Sequence, residues 1–157
     1  MNGRIVCVGR LKEKFYAQAC AEYLKRLSRY GKYEVIEVPD ESEPVHLSPA
    51  AEEQMRTQEG ERILKQIKRD EHVILLSIGG KRYTSEALSK HLEQLSGQKR
   101  PVFVIGGSLG VSEAVEKRAD ETFSFSDLTF PHQLARVILL EQLYRSEKIR
   151  TGERYHK

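Results

Sequence analysis

The sequence predicts an α/β fold, a parallel sheet with helices on both faces. Three observations carry that prediction. Short apolar runs rich in Val and Ile alternate with longer segments whose apolar residues recur every three or four positions. Strands separated by helices pair in parallel, because each connection must cross back over the sheet. The runs are also continuous, as in Val73-Ile74-Leu75-Leu76, the pattern of a strand covered on both faces.

The elements follow in order. Arg4 to Gly9 is a short apolar run ending in glycine, a buried strand. Leu11 to Tyr30 is a helix, with Tyr16, Cys20, Tyr23, Leu24, Leu27 and Tyr30 on one stripe. Tyr33 to Val38 is a strand stopped by Pro39, and the acidic, proline-bearing stretch from Asp40 to Pro49 reads as a mobile loop. Ser48 and Pro49 are an N-cap and a first-position proline, opening a helix to about Lys68 with Glu52–Arg56 and Glu61–Lys65 pairs. His72 to Ile78 is the third strand. Ser85 to Leu95 is a helix capped by its Ser-Glu start and ended by Gly97. Pro101 to Ile105 is a strand, Ser112 to Arg118 a short helix, and Glu121 to Phe125 a fifth strand. Pro131 to about Arg150 is a last helix apolar enough to be buried on nearly all sides.

Composition narrows the class. A length of 157 residues fits one domain spanning 1–157 with a full core. A net charge of +3 permits an RNA partner without demanding one. Cys7 and Cys20 fall in a strand and a helix and read as buried free thiols. Without a signal peptide or an apolar run of membrane-spanning length, a cytoplasmic protein is expected, with no membrane partner. No CxxC, HExxH or carboxylate cluster points to a metal.

In parallel α/β sheets ligands bind beyond the carboxyl ends of the strands. Three such ends are glycine-rich or polar: Ser77 to Lys81, Gly106 to Gly110, and Ser124 to Thr129. Each alone could simply turn the chain, but together they suggest loops that let backbone approach an adenine or ribose. Neither GxGxxG nor GxxxxGK[ST] is present, so an uncharged nucleoside portion is the better guess for the ligand.

The chain also resembles the SPOUT class of knotted methyltransferases, specifically the family that methylates N3 of a pseudouridine in large-subunit ribosomal RNA (the RlmH family). The residues carrying the resemblance include Val8-Gly9-Arg10-Leu11-Lys12, Glu59-Gly60-Glu61-Arg62, Phe103 to Gly110, Phe123-Ser124-Phe125-Ser126, Thr129-Phe130-Pro131-His132-Gln133, Glu141 to Arg145, and Tyr155-His156-Lys157. They span the whole chain. The resemblance implies a C-terminal trefoil knot over about 72–157, S-adenosylmethionine as cofactor, and a homodimer. It further implies action on the helix 69 stem-loop of 23S rRNA in assembled 70S ribosomes. The cofactor pocket it implies comprises Leu76, Gly106, Phe125, Ser126, Asp127, Leu128, Thr129 and Phe130.

The imide N3 of pseudouridine must lose a proton for methylation. The candidates for catalytic roles are His132, Arg136, Tyr155 and His156. His132 opens the last helix beside the cofactor loop, where it either serves the chemistry or orders the loop. Arg136, one turn on, holds a phosphate or the imide anion, or else pairs with an acidic residue. Tyr155 and His156 belong to a basic terminus that either orders on RNA or frays. Lys12, Lys14, Lys25, Arg26 and Arg29 are an RNA-phosphate track or one solvated helix face. The apolar surface of Leu134, Val137, Ile138, Leu139, Leu140, Leu143 and Tyr144 is expected to serve a dimer as well as the core. The alternatives are a tRNA-modifying relative, a non-catalytic assembly factor of the same fold, and a Rossmann-like oxidoreductase, disfavoured by the missing glycine fingerprint.

Overall fold

A computed structural model describes residues 1–155. The chain runs β1 (Gly3–Val8), α1 (Lys14–Leu27), β2 (Tyr33–Val38), α2 (Pro49–Gln66), β3 (His72–Lys81), α3 (Ser85–Ser96), β4 (Pro101–Ile105), α4 (Glu113–Arg118), β5 (Glu121–Phe123) and α5 (His132–Arg150). The five strands form one sheet in the order β2-β1-β4-β3-β5, and every pairing is parallel.

Strand alternation divides the core in two. Ile5 and Cys7, Phe103 and Ile105, and Ile74 point to the face covered by α1, α3 and α5. Val6 and Val8, Val102 and Val104, and Val73 and Leu75 point to the face covered by α2 and α4. Both faces are occupied, which is why the strands carry apolar residues at consecutive positions. α5 packs between α1 and α3, with Leu139, Leu140 and Leu143 fully buried. Each such leucine contributes about 1.5–3 kcal/mol relative to exposure. Among the described residues no helix is long and apolar enough to cross a membrane.

Several boundaries differ from expectation, for tertiary reasons. β3 does not end at Ile78 but rejoins β5 at Lys81 after a bulge, so Ser77 to Gly80 is an excursion within a strand. Gly80 makes this possible, because a Cβ there would lie 2.7 Å from Phe123 N. β5 stops at Phe123 rather than Phe125: Ser124 N still donates to Lys81 O (2.9 Å), but Phe125 turns its ring edge-on to Phe123. α1 begins at Lys14, three residues late, because the Lys12 N–H bonds Gln133 Oε1 at the start of α5. Thr84, not Ser85, caps α3, its Oγ1 accepting from Ala87 N (3.1 Å), while Ser85 reaches Gln142 on α5.

The 40–48 loop is anchored rather than free. Glu41 N donates to buried Glu59, Arg62 donates to Pro39 O and pairs with Glu41, and Ser108 Oγ donates to Glu43. Of the two ion pairs expected on α2, Glu52–Arg56 closes at 3.7 Å and Glu61–Lys65 is not among those formed by the described residues.

Candidate functional site

Beyond the carboxyl ends of β3 and β4 lies a cavity of about 750 Å³, a volume typical of small-molecule sites. Its floor is Leu75 to Ile78 and Ile105 to Ser108 with Gly110 and Val111, and its far wall is Phe123 to Ser126 with Leu128 to His132. The segment after β5 builds that wall. It leaves the sheet edge at Phe123 and reaches α5, whose Arg136 meets the end of β1 at Gly9, so it passes over the ends of β3 and β4.

The 106–110 turn is shaped by close approach. Gly110 has φ +83° and donates to Gly107 O at 3.1 Å. A Cβ on Gly106 would lie 2.7 Å from Val111 Cγ1 and 3.1 Å from the Gly110 carbonyl. Behind the turn, Glu59 sits 3.1 Å from where a Gly107 Cβ would be, and it holds the Glu41 N–H at 2.9 Å. Burial raises the Glu59 carboxyl above its ordinary range despite that bond, and nearby Asp40 pushes the same way. Ser112 then caps α4, accepting from Val115 N, in a space that exists because residue 60 is glycine.

The aromatic wall is stiffened from within. Phe125 meets Phe123 and Phe130 edge-on, with centroids 5.3 and 6.2 Å apart. Ser124 Oγ donates to Ser126 O (2.8 Å), and Leu128 N donates to Ser126 Oγ (3.0 Å). Leu128 and Ile78, 68% and 51% exposed, give the mouth an apolar rim.

His132 lines this cavity at the first residue of α5. Burial, with the positive charges of Arg136 and Lys12, lowers its pKa below the ordinary 6.5, against a smaller opposing effect of Asp40. The imidazole is therefore neutral at physiological pH and able to accept a proton.

The cavity thus brings together Leu76, Gly106, Phe125, Ser126, Leu128, Thr129, Phe130 and His132. Asp127 is not in its lining and pairs with Arg82 instead. Arg136 shows the second of its two readings, the pairing with an acidic residue. It is buried, donating to Glu37 Oε2 (2.6 Å) and Gly9 O (3.0 Å), so its side chain ties α5 to the ends of β1 and β2 rather than facing the cavity. Tyr155 lies against Tyr144 with the Arg145 guanidinium 4.4 Å from its ring centre. That places it twelve residues, or about 18 Å, along α5 from His132 within one chain. His156 falls outside the described residues. Of the basic track, Arg26 pairs with Glu22 and Arg29 with Glu153, while Lys12, Lys14 and Lys25 have no acidic partner among the described residues.

Sequence reasoning missed Glu116 on the cavity wall, and it named Glu59 only within a motif, without its place behind the glycine turn. The cap at Ser112 was the available signal for Glu116, since it places that residue one turn into a helix starting directly after the turn. The Glu59-Gly60 motif does not announce that place, because the Glu59 contacts are made across the fold. Among the described residues, no group of three or more His, Cys, Asp or Glu is arranged to hold a metal ion.

Residues 1–156 match the family described as "Predicted SPOUT methyltransferase". Among curated proteins, the chain is 54% identical to a ribosomal RNA large subunit methyltransferase H of Lactobacillus delbrueckii subsp. bulgaricus, with all of both chains covered. A protein of the same name from Exiguobacterium sp. is also 54% identical, and one from Lactobacillus johnsonii 52%, again over the full length of each.

Proposed function

The chain belongs to the SPOUT methyltransferase family, and from that premise we propose that its substrate is large-subunit ribosomal RNA. The specific reading is methylation of N3 of a pseudouridine in the helix 69 stem-loop of 23S rRNA, within the assembled 70S ribosome, with S-adenosylmethionine as donor. The names of the full-length relatives support the RNA class. The observation that carries the chemistry is one cavity with a backbone-lined glycine turn on one side and a neutral His132 on the other.

The residues present fit an adenosyl group. Gly106 leaves no room for a side chain against Val111, Gly110 takes a left-handed conformation that favours glycine, and Leu76, Leu128 and Phe130 offer apolar surface to the faces of an adenine. Backbone groups of the 125–130 loop not used in its two internal bonds are available to the adenine edge. When bound, adenosylmethionine supplies a methyl group already activated on a sulfonium. The protein then needs chiefly to align that methyl with N3, exclude water and take the N3 proton. His132 takes that proton on its ring nitrogen. Arg136 acts on the reaction only by fixing the start of α5, and with it the position of His132.

The same reading includes a homodimer and a threaded C-terminal region. Leu134 and Ile138, one turn apart on α5 and half-buried, belong to neither core cluster, which supports pairing through this helix. The segment crossing the ends of β3 and β4 is the part that a trefoil knot would thread.

Equilibrium binding of adenosylmethionine tests the pocket. The wild-type protein is expected to bind, and Gly106→Arg, which fills the turn, is expected to lose detectable binding while keeping its circular dichroism. Binding that survives this substitution would place the cofactor elsewhere.

A further inference from the structure

One carboxylate in the cavity lining, in the first turn of α4, has no ion-pair partner among the described residues. Glu116 is exposed and, among the described residues, is the only acidic side chain in the lining, whose other members are apolar residues, glycines, hydroxyl residues and the neutral His132. Its acidic neighbours are neutralised: Glu113 pairs with Lys117 at 2.9 Å, and Asp120 with Arg118 at 3.1 Å. Glu116 has no cationic partner among the described residues. The helix that bears it is well fixed, because Val115 is fully buried, Ser112 is buried against Gly60, and Glu116 N donates to Ser112 O at 3.1 Å. The backbone of Glu116 is therefore fixed at the cavity wall directly after the glycine turn, with its carboxylate exposed.

We infer that Glu116 binds the α-ammonium group of the methionyl end of adenosylmethionine. The inference rests on the proposed cofactor and deepens it. An adenosyl group matches the apolar wall, but the methionyl end carries an ammonium beside its carboxylate, and the three N–H donors of that ammonium gain from a charged acceptor. Glu116 is the one acidic acceptor among the described lining residues. The ammonium rather than the sulfonium is its partner because an ammonium has three N–H donors for a carboxylate, whereas a sulfonium has none.

Binding of three ligands to the full chain tests this: S-adenosylmethionine, S-adenosylhomocysteine, which keeps the ammonium but has a neutral sulfur, and 5′-methylthioadenosine, which lacks the amino-acid end. Glu116→Gln is expected to weaken the first two by about threefold to fivefold, the size of a solvent-screened ion pair, and to leave the third unchanged. Glu116→Asp is expected to recover part of the loss, and the difference between wild type and Glu116→Gln should shrink at high salt. Unchanged affinity for all three ligands would overturn the inference. Weakening confined to S-adenosylmethionine would assign Glu116 to the sulfonium and overturn it as stated. Equal weakening of 5′-methylthioadenosine would mean a reshaped cavity and overturn it too. A wild-type protein that bound none of the three would instead defeat the proposed function on which the inference stands.

Discussion

His132 owes its chemistry to its surroundings. Burial and the charges of Arg136 and Lys12 favour the neutral ring, so its folded pKa lies below the unfolded value near 6.5. Two consequences follow with definite signs. For activity, the base form persists into mild acid, so kcat/KM is expected to stay level from neutrality to below pH 6.5 before falling. An acid limb centred above 6.5 would contradict this. For stability, the unfolded chain binds the proton more readily, so folding free energy is lost as pH falls from 6.5 toward the lowered value. His132→Asn should remove that part of the pH dependence, as read from urea midpoints across pH 5 to 8. The same variant is expected to lower kcat by about 100-fold, the lower end for loss of a general base. Adenosylmethionine affinity should stay within about twofold, and a variant retaining full kcat would reassign His132 to ordering the loop.

At the level of elements, α5 is where local pattern and tertiary contact divide the work. Its apolar residues announced a helix covered on nearly every side, and Arg150 at its end is its only exposed position. Strand and helix order was equally legible, because continuous apolar runs and period-3.6 stripes leave different marks on a sequence. What sequence could not supply was pairing across distance. Arg136 finds Glu37, 99 positions away, and no spacing rule distinguishes that partner from a phosphate. Gly80 extends β3 because Phe123 backbone lies against it, a fact of the neighbouring strand rather than of the Gly-Gly pair. Much of the pocket was readable from motif resemblance and glycine placement, while Asp127 was lost to Arg82 and Glu116 had no motif to announce it. Arg136→Ala leaves the Gly9 carbonyl and Glu37 without their charged donor. It is expected to cost about 2 kcal/mol in urea unfolding, the scale of a hydrogen bond to a charged group. A loss below about 0.5 kcal/mol, the range of neutral surface changes, would show that the tie contributes little.

The whole molecule is one parallel sheet whose two covered faces leave only its ends for chemistry, and the cavity occupies the carboxyl end. The face of α5 bearing Leu134 and Ile138 gives the proposed dimer a test independent of catalysis. The wild-type chain should sediment as two protomers, and Ile138→Glu should shift it toward one, since a charge would be buried at the contact. A wild-type monomer at micromolar concentration would remove the dimer from the account. The central claim concerns the substrate, and the most direct measurement is transfer of a labelled methyl group from S-adenosylmethionine to 70S ribosomes, separated subunits and bulk tRNA. The account predicts label in the large-subunit RNA of whole ribosomes, mapping to N3 of one pseudouridine in helix 69. Label in tRNA, or none in any RNA from a protein that binds the cofactor, would contradict it.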